Sequence, residues 1–294
     1  MTNFRIGNAQ VGSVLEMELT GRPIASLGAS DELVDRHRSW LEPHFLQAGN
    51  TWSLNFRSWV VRVDDLVIVI DPCNGNGRPN IMPMFDMLDI PYLERFEATG
   101  IRVEDVDYVF CTHFHHDHCG WNTQLRGGKW VPTFPNARYL FVQREYDRWH
   151  PDNAARFASL PYNDGVYERS IAPVVEAGLA DLVMEPHRVS PSLAIEPGHG
   201  HTAGHCMMRL CSSDEEAVFA GDAIHHPLQL IDPTIKFGDH DDWGAVMETR
   251  RRLAADSLER STLIIPAHLP FPHAGYVRTA DMGMWFEAYA PMQA

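Results

Sequence analysis

The chain has 294 residues, of which 45% are hydrophobic and 21% are charged. This length can bury a core without disulfide or metal staples, and this composition excludes a disordered or a membrane-spanning chain. The formal net charge is −15, from 24 Lys and Arg against 39 Asp and Glu, and such a surface argues against nucleic acid as a partner because it repels phosphates.

The cysteines form no CxxC pair and their count is odd, which is typical of reduced thiols in a cytosolic protein. The first residues lack a basic segment followed by an apolar run, so no signal peptide is expected. The longest aliphatic run, at 66–70, is far shorter than the roughly 18–20 residues that span a bilayer. We therefore expect a soluble cytoplasmic protein without a membrane partner. The cysteines are Cys73, Cys111, Cys119, Cys206 and Cys211.

Short β-rich runs and two helical patterns alternate along the chain. The first two runs, within 54–71, flank Asp64-Asp65 and predict a hairpin. Residues 92–99, closed by Gly100, predict a short helix. The apolar spacing after Asp242 predicts a longer helix that this aspartate caps. This alternation indicates a mixed, layered fold of helices and strands. The other predicted strands lie at 106–111, 138–142, 182–184, 193–196, 217–220 and 263–265.

No linker, repeat or low-complexity stretch divides the sequence, so we expect one domain over residues 1–294, with 1–50 as an N-terminal extension. The segment 151–173 contains three prolines and little periodicity. It is interpreted as a long connection or cap loop over the site.

The chemistry is concentrated where the strand predicted at 106–111 runs into the sequence HFHHDHCG, residues 113–120. In an extended loop His113 and His115 point to the same side. A turn into a helix would then bring Asp117 and His118 to the same pocket. Imidazole and carboxylate groups suit zinc and related divalent ions. This loop therefore predicts two ligands for each of two adjacent metals.

Two metals need further ligands, and three more motifs follow predicted strands. They are GHTAGH at 200–205, FAGD at 219–222 and PAH at 266–268. The ordered set HxHxDH, GHTxGH, GD and a C-terminal histidine resembles the metallo-β-lactamase superfamily over roughly residues 55–270. The resemblance implies an α+β fold, an αββα sandwich in which helices flank two mixed β-sheets.

The same resemblance implies a ligand for each position of the motif. The expected cofactors are two zinc ions, although manganese, cobalt and iron suit the same donors. His199 lies outside the GHTxGH frame, and His116 occupies a non-ligand position. His205 is expected to orient other groups by hydrogen bonding. The implied ligands are His113, His115 and His201 for the first metal, Asp117, His118 and His268 for the second, and Asp222 as a bridge between them.

Residues 118–123, 130–138 and 221–229 resemble the branch of quorum-quenching N-acyl-homoserine lactonases and their relatives. Related lactonases often place a tyrosine three residues after the bridging aspartate, where it helps to hold the substrate carbonyl. Here His225 occupies that position, and its N–H could donate the same hydrogen bond. The expected function is opening of a lactone or related carboxylic ester by a metal-bridging hydroxide. Asp117 is expected to accept the proton and pass it to the leaving group.

Several alternatives are weighed against this hypothesis. A phosphotriesterase or arylesterase stays open, since the same hydroxide could attack phosphorus or an aryl ester. A glyoxalase II-like thioesterase is disfavoured by the short, weakly basic segment after His268. A non-catalytic metal-binding protein is disfavoured by the complete ligand set, and a homodimer is left open. An apolar face suited to an uncharged ester is expected from Phe114, Trp121, Trp59, Met82, Met84, Phe85 and Phe271.

Overall fold

A computed structural model describes residues 3–281 and 283–289. The described residues form sixteen strands, and these are, in chain order, β1 (Asn3–Ile6), β2 (Ala9–Pro23), β3 (Thr51–Val63), β4 (Leu66–Ile70), β5 (Tyr108–Phe110), β6 (Thr123–Arg126), β7 (Lys129–Pro132), β8 (Arg138–Val142), β9 (Ala180–Val183), β10 (His187–Arg188), β11 (Leu193–Pro197), β12 (Cys206–Ser212), β13 (Glu215–Gly221), β14 (Leu263–Pro266), β15 (Gly275–Ala280) and β16 (Gly283–Ala288). The α-helices are α1 (Asp31–Leu41), α2 (Tyr92–Glu97), α3 (His116–Cys119), α4 (Gln143–Trp149), α5 (Ala172–Glu176), α6 (Leu228–Ile231) and α7 (Trp243–Arg260).

Two seven-stranded sheets carry the fold, and both are mixed. The first has the order β1-β2-β3-β4-β5-β8-β9, antiparallel as far as β4 and parallel from β4 to β9. The second runs from β10 to β16 in order, and only its β13–β14 pair is parallel within the described residues. Strands β6 and β7 form a separate two-stranded hairpin.

The main core lies between the sheets, and helices cover both outer faces. Strand β4 illustrates why its sequence is hydrophobic throughout. Its Ile68 and Ile70 pack with Phe219 of the second sheet, whereas Val69 faces Phe96 of α2 on the outer side. A strand buried on both faces has no solvent side for polar residues. The expected αββα sandwich is therefore confirmed.

The predicted hairpin and both predicted helices are present. Asp64 and Asp65 connect β3 to β4 with positive φ angles of 54° and 60°. The Oδ1 of Asp242 accepts a hydrogen bond from the backbone N–H of Ala245 at 3.1 Å and so caps α7. The shorter helix ends at Glu97, two residues before the predicted end.

Residues 1–50 and 151–173 were singled out in the sequence. Within the first segment, β2 pairs with β3 along most of its length, so these residues are an integral part of the first sheet. The second segment consists mainly of short helices of one or two turns, at Pro151–Arg156, Pro161–Asn163 and Tyr167–Ile171. In residues 3–281 and 283–289, no helix is long and apolar enough to cross a membrane.

Candidate metal centre

The motif residues meet at one edge of the sandwich, where strands end. His113 and His115 lie on the loop between β5 and α3, and His201 lies on the loop between β11 and β12. Asp222 directly follows β13, and His268 follows β14 by two residues. In open sheets, the carboxyl ends of parallel strands and the loops after them commonly form binding sites. Strands far apart in sequence thus deliver their end residues to one place.

The first group consists of His113, His115, His201 and Asp222, all of them buried. The Nδ1 of His115 lies 3.0 Å from the Nε2 of His201. That Nε2 lies 3.4 Å from the Oδ2 of Asp222, and the Nε2 of His113 lies 4.0 Å from the same oxygen. Three imidazoles and one carboxylate oxygen therefore face a common point.

The second group consists of Asp117, His118 and His268. The Nε2 atoms of the two histidines are 3.2 Å apart. The Oδ2 of Asp117 lies 3.6 Å from the nitrogen of His118 and 3.5 Å from that of His268. Asp117 is the most open member of the two groups, with 14% of its side chain exposed against 5% for Asp222.

Asp222 lies between the groups and presents a different oxygen to each. Its Oδ1 is 3.0 Å from the Nε2 of His268 and 3.3 Å from that of His118. Its Oδ2 faces His201 of the first group. A carboxylate placed in this way has the geometry of a bridge.

The spacing of the donors fits metal ions. Tetrahedral zinc with bonds of about 2.1 Å separates its ligands by roughly 3.4 Å, and most of the distances above lie between 3.0 and 3.6 Å. The Nε2 of His113 is buried and has no hydrogen-bond partner in the described part of the chain. A buried polar atom without a partner costs free energy that a bound ion would remove. The residues present therefore fit two divalent ions.

Burial and charge act differently on the two groups. Burial lowers the pKa of His113 and His201 well below the ordinary value and lowers that of His115 to about 3. These imidazoles are therefore neutral, as metal ligands must be. Burial also lowers the pKa of His118, but the nearby carboxylates, chiefly Asp222, outweigh this effect and raise the pKa well above the ordinary value. The second group thus concentrates the carboxylate charge of the site.

Two buried carboxylates that sequence reasoning missed hold the loops in place. Asp71, directly after β4, accepts hydrogen bonds from the backbone N–H and the hydroxyl of Thr112. Its Oδ2 also lies 3.0 Å from the Nδ1 of His118. The position of Asp71 directly after a fully hydrophobic strand is a sequence signal that could have identified it as a residue of the site. Glu145 of α4 accepts hydrogen bonds from the backbone N–H of Phe114 and the hydroxyl of Thr202, and nothing in its local sequence indicates that role.

The remaining histidines of these loops have other partners. The Nε2 of His205 accepts the backbone N–H of Asp222 at 3.1 Å, and its Nδ1 donates to the carbonyl of Gly198. His116 contacts Asn74 through its Nδ1 at 2.9 Å. His240, which sequence reasoning missed, lies with its Nδ1 3.2 Å from the Nδ1 of His201.

His225 is buried at the centre, directly beside the shared carboxylate. Its Nε2 lies 3.0 Å from the Oδ2 of Asp222. Its Nδ1 is buried without a hydrogen-bond partner in the described residues. The ring stacks against that of His268 with a centroid distance of 5.7 Å. His225 is therefore positioned to orient Asp222.

Aromatic rings line the surroundings of the centre. Phe85, Phe56 and Phe237 lie with ring centroids 4.8, 4.9 and 5.0 Å from His116, His268 and His225, respectively. From the 151–173 segment, Tyr162 reaches within 6.0 Å of the His115 ring and donates its hydroxyl to Asp239 at 2.9 Å. The segment thus contacts the centre.

The expected apolar substrate face is only partly correct. Trp59 packs between the sheets, and Phe114 and Trp121 pack behind the first sheet. The large apolar surfaces of these three side chains are therefore buried in the core and do not line a pocket. Met84 and Phe271 are instead 46% and 56% exposed. Of the expected face, Phe85 is the aromatic side chain that contacts a histidine of the HFHHDH loop.

Comparison with known proteins gives a family and a set of structural neighbours. A model of the metallo-beta-lactamase superfamily matches residues 57–268. AidC, a dizinc quorum-quenching lactonase solved with a homoserine product, is 17% identical with a TM-score of 0.77, over 99% of this chain and 98% of AidC. The hydrolase AbOPH of the beta lactamase superfamily is 22% identical with a TM-score of 0.78, over 98% and 97% of the two chains.

A probable metal-dependent hydrolase from Staphylococcus aureus is 18% identical with a TM-score of 0.72, over 99% of both chains. A search of curated protein sequences gave no match. At these identities the neighbours establish the fold, and the substrate has to be argued from the residues of this chain.

Proposed function

The chain belongs to the metallo-β-lactamase superfamily, and from this premise we propose that it is a dinuclear metal hydrolase that opens a lactone or related carboxylic ester. The observation that carries the proposal is the shared carboxylate of Asp222, which offers one oxygen to each of two histidine groups. A carboxylate that offers a separate oxygen to each of two ligand groups is suited to a two-metal site, in which the ions act together on one substrate.

In this proposal His113, His115 and His201 would hold one ion, Asp117, His118 and His268 would hold the other, and Asp222 would supply an oxygen to each. When bound, such ions supply a water acidic enough to attack at neutral pH and polarise an ester carbonyl. The dizinc centre named for AidC supports zinc, while the nitrogen and oxygen donors also suit manganese, cobalt or iron.

Asp117 is the group that moves the proton. Burial raises its pKa, but the imidazoles of His118, His116 and His268 outweigh that effect and hold the pKa below the ordinary value. The carboxylate is therefore ionised and can accept a proton from the attacking water. Because it is the most open member of the site, it can then deliver that proton to the leaving oxygen of the ester.

His225 is the proposed donor to the substrate carbonyl. Its buried imidazole stands where related lactonases place a tyrosine, and its ring is fixed between His268 and Phe237. Burial lowers the pKa of His225, so the ring is neutral and carries one N–H. That N–H is at Nε2, 3.0 Å from the Oδ2 of Asp222, and in this proposal it is shared with the substrate carbonyl. An N–H held in a buried site stabilises developing negative charge on an oxygen more strongly than water does.

The substrate class follows from the surroundings of the centre. Phe56, Phe85, Phe237 and Tyr162 surround the histidines with aromatic carbon. Such a lining favours an uncharged acyl group with few polar atoms. The lactone chemistry named for AidC supports the same class. We therefore propose an N-acyl-homoserine lactone or a similar small ester as the substrate.

The test is hydrolysis of a panel by the metal-loaded protein, with metal content measured on the same sample. The panel holds short- and long-chain acyl-homoserine lactones, simple lactones, an aryl ester and a phosphotriester. We expect kcat/KM of at least about 10⁴ M⁻¹s⁻¹ on a lactone. Faster turnover of the aryl ester or phosphotriester would replace the lactone assignment with that of an arylesterase or phosphotriesterase. About two ions per chain with no turnover of any panel member would overturn the proposal.

A variant tests the role of Asp117. Asp117→Asn should lower kcat by about 10²–10⁴-fold, the usual contribution of a general acid or base, with the fold retained. Because the substitution also removes a carboxylate from the second metal group, kcat is compared at metal concentrations that give the variant the same measured metal content as the wild type. Asp214→Asn, at an exposed position outside the site, is the matched control and should change nothing. Near-normal kcat in a metal-replete Asp117→Asn protein would exclude this role.

A further inference from the structure

A third set of metal-capable side chains lies outside the two groups described above. It consists of Glu185, His199 and Cys206, whose donor atoms all lie within 4.8 Å of one another. The three residues come from different segments: Glu185 from the turn after β9, His199 from the loop after β11, and Cys206 from the first position of β12. The folded chain, not a local motif, brings them together.

The contacts within this set leave one buried carboxylate oxygen without a partner in the described residues. The Oε1 of Glu185 lies 2.9 Å from the Nε2 of His199. The other oxygen, Oε2, is buried and has no hydrogen-bond partner in the described residues, although only 10% of the side chain is exposed. The thiol of Cys206 is fully buried. A carboxylate oxygen in this position costs free energy unless something binds it.

We propose that Glu185, His199 and Cys206 bind a third divalent ion of the zinc type. Oxygen, nitrogen and sulfur donors together are a set that zinc accepts and that calcium or magnesium does not favour. Binding requires the thiolate, so the thiol proton of Cys206 leaves to solvent as the metal–sulfur bond forms. Three protein ligands leave a fourth position for water, and His199 borders a surface cavity of about 380 Å³ from which water can enter.

The charge of the site permits a cation beside Arg144. The Nη1 of this arginine lies 3.4 Å from the Nδ1 of His199. One carboxylate and one thiolate neutralise a divalent ion, so the filled site would repel the guanidinium only weakly. Arg144 is exposed, and its long side chain can turn toward solvent when the imidazole nitrogen carries a proton.

The location gives the ion a structural consequence. His199 and Cys206 flank the loop that carries His201 of the metal centre and His205, which orients Asp222. An ion bound to both flanks and to Glu185 would fix the two ends of this loop against the turn after β9. The inference rests on these contacts and is independent of the proposed function.

Zinc content and cobalt spectra of the full-length protein test the site. The two groups of the metal centre offer only imidazole and carboxylate donors. A thiolate-to-cobalt charge-transfer band in the near ultraviolet therefore reports the third site alone. We expect about three zinc ions per chain in the wild type and about two in Cys206→Ala, which should also lose the band. Cys211→Ser, at the exposed cysteine of the same strand, should keep both signals.

Two outcomes of the cobalt experiment would overturn the proposal. One is a protein with both groups of the metal centre filled and no thiolate band. The other is a band that disappears in Cys211→Ser and survives in Cys206→Ala. If Cys206→Ala does not fold, Glu185→Gln is the second variant, and it should raise the concentration of zinc needed to fill the third equivalent at least about tenfold. Unchanged filling in a folded Glu185→Gln protein would also refute the site.

Discussion

Glu145 offers the sharpest test of how the metal centre is assembled, because it joins two of its loops without belonging to either metal group. Its Oε1 accepts the backbone N–H of Phe114 at 2.8 Å and the indole N–H of Trp149 at 2.7 Å. Its Oε2 accepts the hydroxyl of Thr202 at 2.6 Å and the backbone N–H of Gly204 at 3.1 Å. The side chain is 1% exposed. Glu145→Gln keeps the shape and replaces one acceptor oxygen by a donor.

The magnitude follows from these contacts. If the new amide group faces Thr202, that hydroxyl can rotate and accept, so one N–H, that of Gly204, is left without an acceptor. The other bonds lose their charge assistance, and each hydrogen bond to a charged group is worth about 1.5–3 kcal/mol. Burial raises the pKa of Glu145, so part of this energy already offsets desolvation of the carboxylate. We expect a loss of roughly 2–4 kcal/mol in the free energy of unfolding, or a fall in Tm of about 3–7 °C.

The loss should be accompanied by weaker metal binding, because the loops of His115 and His201 are no longer held together. Calorimetric melting and competition with a chelator measure the two effects. Glu16→Gln is the matched control. Glu16 is equally buried and accepts four hydrogen bonds, from Asn74, Gly75 and Trp121, but it joins no loop to His201. The reasoning fails if both variants lose the same stability and both keep the metal affinity of the wild type.

Three further predictions concern the wider site. Arg250→Met removes a buried guanidinium that donates to the carbonyls of Ala223 and Ile235. The substitution should lower the free energy of unfolding, measured by urea denaturation, by roughly 2–4 kcal/mol. A loss under about 0.5 kcal/mol would contradict this role. Removal of both ions by a chelator should lower Tm by about 4 °C per ion, since an ion at 100 times its Kd contributes about 2.7 kcal/mol. An unchanged Tm after verified removal would show that the centre forms without metal. Tyr162→Phe removes the hydrogen bond to Asp239 and should shift Tm by less than about 3 °C. It should also raise KM several-fold in steady-state assays. An unchanged KM would show that the substrate does not contact Tyr162.

The parts of the fold that the sequence predicted are those whose signal is local. The run at 66–70 is hydrophobic at every position because β4 is buried on both faces, and Asp242 marks the start of α7 by its own cap. Strand β2 lacks such a signal. Its Glu16 would be expected at the surface, but it is buried because Asn74, Gly75 and Trp121 donate to it from distant segments.

Strand β12 escaped notice for the same reason. Arg209 interrupts its apolar run, and charged residues are rare in buried strands. Its guanidinium is paired by Glu196, Glu216 and Asp256, which come from β11, β13 and α7. Partners that lie far away in sequence cannot be assigned from spacing, so the burial of such residues becomes evident only in the folded chain.

The candidate site divides along the same line. Its seven motif residues were named from the sequence, and the structure places them in two neighbouring groups, while their role as ligands stays a prediction. Two of the groups that hold them carry no motif: Asp71 behind His118 and Glu145 between two loops. His205 behind Asp222 is instead the last residue of the GHTAGH motif, and its hydrogen bond was expected from the sequence.

Metal sites require their ligands to be held within about 0.5 Å, and that precision comes from the partners behind the ligands. The motif in this chain therefore specifies which atoms can meet an ion. How firmly they hold it depends on buried residues such as Glu145 and Asp71, whose importance lies in contacts between segments and not in their place in the sequence.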